Sequence, residues 1–225
     1  MFADRRDAGR QLAERLASLA STNPIVIALP RGGVPVAAEV AEALHAPLDV
    51  IVVRKLGVPW QPELGLGAIA EGGVRILNHD LVTEVGITSA QLEAVTTRER
   101  AELERRVARY RGDRPAADVA DRVVILVDDG LATGYTARAA VESIRRRRPR
   151  RIVLAVPVAP EDSVRELARV ADEVVAVDEP PWFFAIGQFY DDFGPTPDDE
   201  VTELLDAASA RVAPHAAVAA GGGRA

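Results

Sequence analysis

The run Val123-Val124-Ile125-Leu126-Val127 stops at two adjacent carboxylates, Asp128 and Asp129, and this junction restricts the possible folds more than any other stretch. Five apolar, mostly β-branched residues without alternation offer no polar face to water, so the segment reads as a strand buried on both sides. Such a strand belongs to a parallel sheet covered by helices. Two carboxylates suit its carboxyl end, where open α/β sheets hold their ligands. Gly130 and Gly134 then bracket a loop of small and hydroxyl residues, and a helical pattern begins at about Tyr135. A helix start presents N–H groups that can cradle an anion.

The rest of the chain alternates strands with helices, which predicts an α/β fold: a twisted parallel sheet with helices on both faces. Ala8, Leu12, Leu16 and Leu19 recur at helical spacing over 4–20, with Asp4 as N-cap. Residues 24–29 read as a strand, 35–45 as a helix, and 48–53 as a second strand ending at Arg54-Lys55. The glycine-rich stretch 56–86 reads as a long excursion, with a hairpin through 67–71 and 74–77 around Gly72-Gly73. A helix with a solvated Arg/Glu face follows over 88–110. After the 123–127 strand come helices at 135–147 and 161–169 and strands at 151–157 and 173–177. Asp198 or Asp199 caps a closing helix to about 208, and 211–225 reads as a disordered tail. The domain expectation is therefore a single unit over 1–210, with a flexible lid over 56–110 and a small hood over 180–197.

A length of 225 residues suffices for one sizeable core. The net charge of −7 argues against nucleic acid as the main partner, which would need a basic face. It leaves room for a small, strongly anionic ligand held by local groups. The absence of cysteine excludes disulfides and thiolate metal sites. With no leader and no apolar run of about 18 residues, a soluble cytoplasmic protein without membrane contacts is expected.

Carboxylates beside an anion cradle suit a ligand with hydroxyls at one end and a phosphate at the other, as in a ribose 5-phosphate. The stretch Val123–Thr136 resembles the ribose-phosphate signature of the type I phosphoribosyltransferases, which bind 5-phosphoribosyl-1-pyrophosphate (PRPP). The resemblance implies that Asp128 and Asp129 hold the ribose hydroxyls and, largely through ribose and water, a magnesium ion. It makes Ala132, Thr133, Gly134, Tyr135 and Thr136 the 5′-phosphate loop. Pro30-Arg31-Gly32-Gly33, just after the first strand, matches the family's pyrophosphate loop, so Arg31, Gly32 and Gly33 are expected on the leaving group. Arg54 and Lys55 should reach the same edge of the sheet. Arg54 is favoured as a catalytic residue because a guanidinium forks to phosphate oxygens.

Pro181–Phe193 gathers four of the five phenylalanines and resembles the base-covering segment of hypoxanthine-guanine phosphoribosyltransferases. That likeness implies Phe183 or Phe184 as the residue stacking on the base, and Asp191 or Asp192 as a metal-side acid. Two departures stand out: Ala132 replaces an acid of the purine enzymes, and Leu154–Val158 carries no base-selecting lysine. Asp4 to Leu205 most resembles a little-characterised bacterial branch with Pro-Arg-Gly-Gly and Arg-Lys-Leu-Gly motifs. The expected activity is transfer of the phosphoribosyl group of PRPP to an unidentified nitrogenous base, with magnesium as cofactor and self-association possible. The competing class is a non-catalytic sensor of PRPP or a nucleotide on the same fold. Gly65–Ala70 matches a dinucleotide fingerprint in letters alone, because no strong strand precedes it and no helix follows. The arginine run 145–151 reads as a solvated helix end.

Overall fold

The computed structural model describes residues 1–132 and 134–219. Five strands form a parallel sheet in the order β2-β1-β6-β7-β8. They are β1 (Ile25–Ala28), β2 (Leu48–Val50), β6 (Val123–Val127), β7 (Arg151–Val158) and β8 (Glu173–Asp178). Ile27 lies opposite Asp49 of β2 on one side and Leu126 of β6 on the other. Alternation then sorts the side chains into two layers. Val26, Ala28, Ile125 and Val127 pack with α1 (Arg5–Leu16), α2 (Gly33–Ala43) and α7 (Asp198–Ala219). Ile25, Ile27, Val124 and Leu126 pack with α5 (Tyr135–Arg145) and α6 (Glu161–Leu167). Both faces of β6 are thus buried, as its unbroken apolar run requires.

Asp4 caps α1 as expected, its side chain accepting the Asp7 N–H at 2.7 Å. The segment 48–53 departs from its expectation. Only Leu48–Val50 joins the parallel sheet, and from Val53 the chain enters a separate antiparallel sheet of β3 (Val53–Val58), β4 (Gln61–Ala70) and β5 (Val74–Leu77). Glu71 covers the outer edge of β2 where the chain departs: its Oε1 accepts the Val52 N–H at 2.7 Å, while the Ile51 N–H still donates to the Ala28 carbonyl of β1 at 3.0 Å. A continuous apolar run carries no sign of a change of sheet. The hairpin around Gly72-Gly73 is present, but β4 begins earlier than expected, at Gln61. A short α3 (His79–Glu84) also forms within the supposed excursion.

Within 56–110 the chain is regular almost throughout, and α4 (Ser89–Arg111) opens with a Thr88/Gln91 capping box. Its Arg/Glu face is paired partly within itself and partly with neighbouring elements. Arg105 and Arg106 both bond Glu102 and hold that carboxyl down at about 2. A buried cluster bolts this part of the chain to the core. Arg111, 8% exposed, donates to Glu71 Oε2 at 2.8 Å and to the Val50 carbonyl at 2.7 Å, and its Nε lies 3.4 Å from Asp49. Ser143 of α5 donates to the Glu71 carbonyl at 2.6 Å. The closing helix also outruns its expectation. α7 continues to Ala219, in keeping with the helix propensity of its alanines. Of the expected tail, residues 220–225 lie outside the described residues.

Candidate functional site

β1 and β6 are neighbours, and the chain leaves β1 toward β2 on one side while β6 leads to β7 on the other. Their carboxyl ends therefore flank the topological switch point of the sheet, where a crevice forms. Leu29–Gly33 leaves β1 there, and Asp128 and Asp129 leave β6. The contact between the two loops is close. A Cβ on Gly32 would lie 1.9 Å from Asp129 Oδ2, and one on Gly33 would lie 2.9 Å from Asp128 Cα. Only glycine allows this approach. The peptide bond joining Pro30 to Arg31 is cis.

Asp129 is buried and Asp128 half-buried. The Asp128 carboxylate accepts the Asp129 N–H at 2.9 Å. Burial pushes the Asp128 carboxyl well above the usual carboxylate range, and the neighbouring Asp129 charge adds to it. Burial also raises Asp129, opposed by Arg5, whose Nε lies 2.8 Å from Asp129 Oδ2. Two carboxylates so placed are short of positive charge, a local deficit that a cation or a hydroxyl-bearing ligand would relieve.

Alternation along β3 separates the two cations placed together by the sequence. Arg54 turns to α4 and forks onto Glu99 Oε2 at 3.0 and 2.8 Å. Lys55 is exposed on the other side, where its charge acts on Asp128. Arg54 is thus engaged by Glu99, and Lys55 is the exposed cation of the two. Composition held a signal: Lys55 is the single lysine of the chain. Arg31 reaches away toward α7, its Nη1 standing 3.7 Å from Asp198 Oδ1. Asp198 also accepts the Tyr110 hydroxyl at 2.5 Å.

Gly134 is the left-handed N-cap of α5, with φ of 71°, so Tyr135 and Thr136 supply the first N–H groups of that helix. Ala132 is exposed and its carbonyl accepts Ser163 Oγ at 2.7 Å. Thr133 lies outside the described residues. Gly130 is covered by the hood: its Cβ would meet Ile186 Cγ2 at 2.7 Å.

The hood over 180–197 holds one 3-10 turn, Ile186–Phe189, and is stitched to the chain's beginning. Phe2 donates to the Phe189 carbonyl and accepts from the Asp191 N–H, both at 2.8 Å. Phe183 is half-buried and stacks on Phe189 with centroids 5.5 Å apart, so it serves the hood's own packing. Phe184, 89% exposed, and Trp182, 77% exposed, are the free aromatics of the hood. Asp191 and Asp192 are exposed, and Asp192 Oδ1 accepts the Gly194 N–H at 3.0 Å. Among the described residues no three His, Asp or Glu side chains converge as a ready-made metal site, so neither acid joins Asp128 and Asp129. Two residues with no sequence signal complete the site: Arg5, and Tyr190, whose hydroxyl donates to the Asp129 carbonyl at 2.6 Å.

The arginine run lies at the opposite, amino-terminal edge of the sheet. Arg145 pairs with Asp172, Arg151 with Glu173, and Arg147 bonds the Ala117 carbonyl. Among the described residues no helix is long and apolar enough to cross a membrane.

Residues 4–193, which include the acid pair, the Gly32-Gly33 turn and most of the hood, match the phosphoribosyl transferase domain. The chain belongs to that family. A Mycobacterium tuberculosis (strain CDC 1551 / Oshkosh) protein provisionally named a phosphoribosyl transferase is 52% identical over 208 residues, covering 92% of this chain and 47% of that one. The chain spans about half the length of the curated relatives it matches. A crystal structure of a Thermus thermophilus protein superposes with a TM-score of 0.76 at 46% identity, covering 91% of this chain and 97% of that one. The family binds PRPP and a base as substrates, generally with magnesium.

Proposed function

We propose that the chain transfers the 5-phosphoribosyl group of PRPP to a ring nitrogen of a base. A new N–C1 bond forms as the C1–O bond breaks; the electron pair of the broken bond departs with pyrophosphate, and the ring N–H proton is released to water. The observation that carries this reading is the packing of Gly32 and Gly33 directly on Asp128 and Asp129, which supports a pyrophosphate loop working beside a pair of ribose-binding acids. In this reading Asp128 and Asp129 hold the 2′ and 3′ hydroxyls. The Gly134–Thr136 amides hold the 5′-phosphate and so fix the whole sugar. Lys55 balances the charge that grows on the leaving group, with the Arg31–Gly33 backbone beside it. Hood and hairpin would shield the oxocarbenium-like centre from water.

Two adjacent carboxylates fit magnesium, which takes one or two carboxylates plus substrate phosphates rather than a protein cage. When bound, it would neutralise pyrophosphate oxygens. With Ala132 in place of an acid, the loop offers the base no proton acceptor from this position. The setting we infer is cytoplasmic nucleotide metabolism, with which a cysteine-free chain is compatible.

A sensor on the same fold is the second reading, favoured by the engagement of Arg31 with Asp198 and of Arg54 with Glu99. Calorimetric titration of PRPP, with and without magnesium, tests the site. Wild type should bind only with magnesium, and the Asp128→Asn/Asp129→Asn double variant should bind at least about 100-fold more weakly while remaining folded. Wild-type affinity in the double variant would refute the site. Pyrophosphate release with some base then selects the transferase, and tight binding without turnover on any base selects the sensor.

A further inference from the structure

We infer that Arg5 is a positioning residue that couples the acid pair to the aromatic hood, an inference that rests on the acid pair being the ligand site. Arg5 is the first residue of α1, fixed by the Asp4 cap behind it. Its side chain is 12% exposed, and each part of the guanidinium has a separate task. Nε donates to Asp129 Oδ2 at 2.8 Å, Nη1 donates to the Gly194 carbonyl at 2.7 Å, and the guanidinium carbon sits 3.9 Å from the centroid of the Phe193 ring. One rigid, planar group therefore spans from an acid to the segment that carries Trp182 and Phe184.

The span is reinforced from the other side. Tyr190 fixes the Asp129 backbone, and the Tyr190 and Phe193 rings lie 4.9 Å apart, so the hood reaches the main chain of Asp129 directly and its carboxylate through Arg5. Gly32 closes the remaining side, with a built Cβ 3.1 Å from Arg5 Nε. An Asp129 carboxylate that turns toward a ligand must either drag Arg5, and with it Gly194 and Phe193, or break the bond. Lysine cannot substitute: an ammonium has the charge, but not a fork with two bonding edges and a stacking face.

Hydrogen exchange of residues 186–194 reads the coupling directly, in wild type, Arg5→Gln and Arg5→Lys, with and without PRPP and magnesium. In the absence of ligand, hood exchange should rise about tenfold in Arg5→Gln, and in Arg5→Lys as well, because the fork is lost in both. Adding Asp129→Asn to Arg5→Gln should cause no further increase, since the two changes break one link. With PRPP and magnesium, wild-type hood exchange should slow, and that of both variants should not, even at saturating PRPP. Unchanged exchange in the ligand-free variants would overturn the coupling. So would additive effects in the double variant, or ligand-induced protection that survives in Arg5→Lys. If wild type fails to bind PRPP, the functional reading falls, and the ligand-free exchange of the variants still decides the link.

Discussion

Replacing Gly32 with alanine tests the close approach on which the site is built. Gly32 has φ of −59°, an ordinary helical value, so the added methyl costs nothing in backbone conformation. The cost is steric. The new Cβ would lie 1.9 Å from Asp129 Oδ2 and 2.7 Å from its Cγ, far inside the roughly 3.5 Å optimum for carbon contacts. The carboxylate has to swing off Arg5, forfeiting a charged hydrogen bond of about 1.5–3 kcal/mol. Crowding adds about 1–3 kcal/mol, and the stiffer unfolded chain returns about 0.4–1 kcal/mol. A net loss of about 3 kcal/mol is expected, which lowers Tm by roughly 6–12 °C for a chain of this size. Gly65→Ala is the control, because its Cβ meets nothing within 4 Å, and it should stay within about 0.5 kcal/mol of wild type. Urea unfolding and PRPP titration of both variants form the assay. If Gly32→Ala is within about 1 kcal/mol of Gly65→Ala and binds PRPP like wild type, the packing argument fails.

Two further expectations concern the frame. Arg111→Met leaves the half-buried Asp49 and Glu71 without their cation and should destabilise by about 1.5–3 kcal/mol in urea unfolding; adding Asp49→Asn and Glu71→Gln should recover part of that loss. Tyr110 is buried and bonded to Asp198, which raises its phenol from the ordinary 10 to about 12. Its proton is held more tightly in the folded state, so its contribution is complete below pH 10 and disappears as pH rises through 12. Wild-type stability should therefore fall more steeply than that of Tyr110→Phe over that window, by about 2 kcal/mol.

The parallel sheet was legible because burial on both faces leaves a signature in each strand, as in Val123–Val127 and Arg151–Val158. The acid pair and the Gly32-Gly33 turn were legible because their chemistry is local: residue type and neighbour carry it. What escaped is long-range. Ile51 and Val52 look like a continuing strand, and the partner that covers their outer edge, Glu71, is distant in sequence. The opposite directions of Arg54 and Lys55 follow from a strand whose sheet could not be foreseen. Arg5 and Tyr190 have no motif around them; each matters only because the hood folds back over β6. The segment over 180–197 was recognisable by its aromatics, yet which of them pack and which stay free depends on tertiary contacts, as Phe183 and Phe184 show.

A chain with a single lysine, whose charge acts on one of its paired carboxylates, sets a trap for routine laboratory chemistry. Amine-reactive dyes, cross-linkers and sensor surfaces would couple at Lys55 or at the chain's amino terminus, since no other side chain offers a primary amine. Protein attached through Lys55 loses the one ammonium whose charge acts on Asp128, and under the proposed function a binding assay run that way would under-report an intact molecule. Attachment through an added cysteine avoids the problem, because the chain has none of its own to compete.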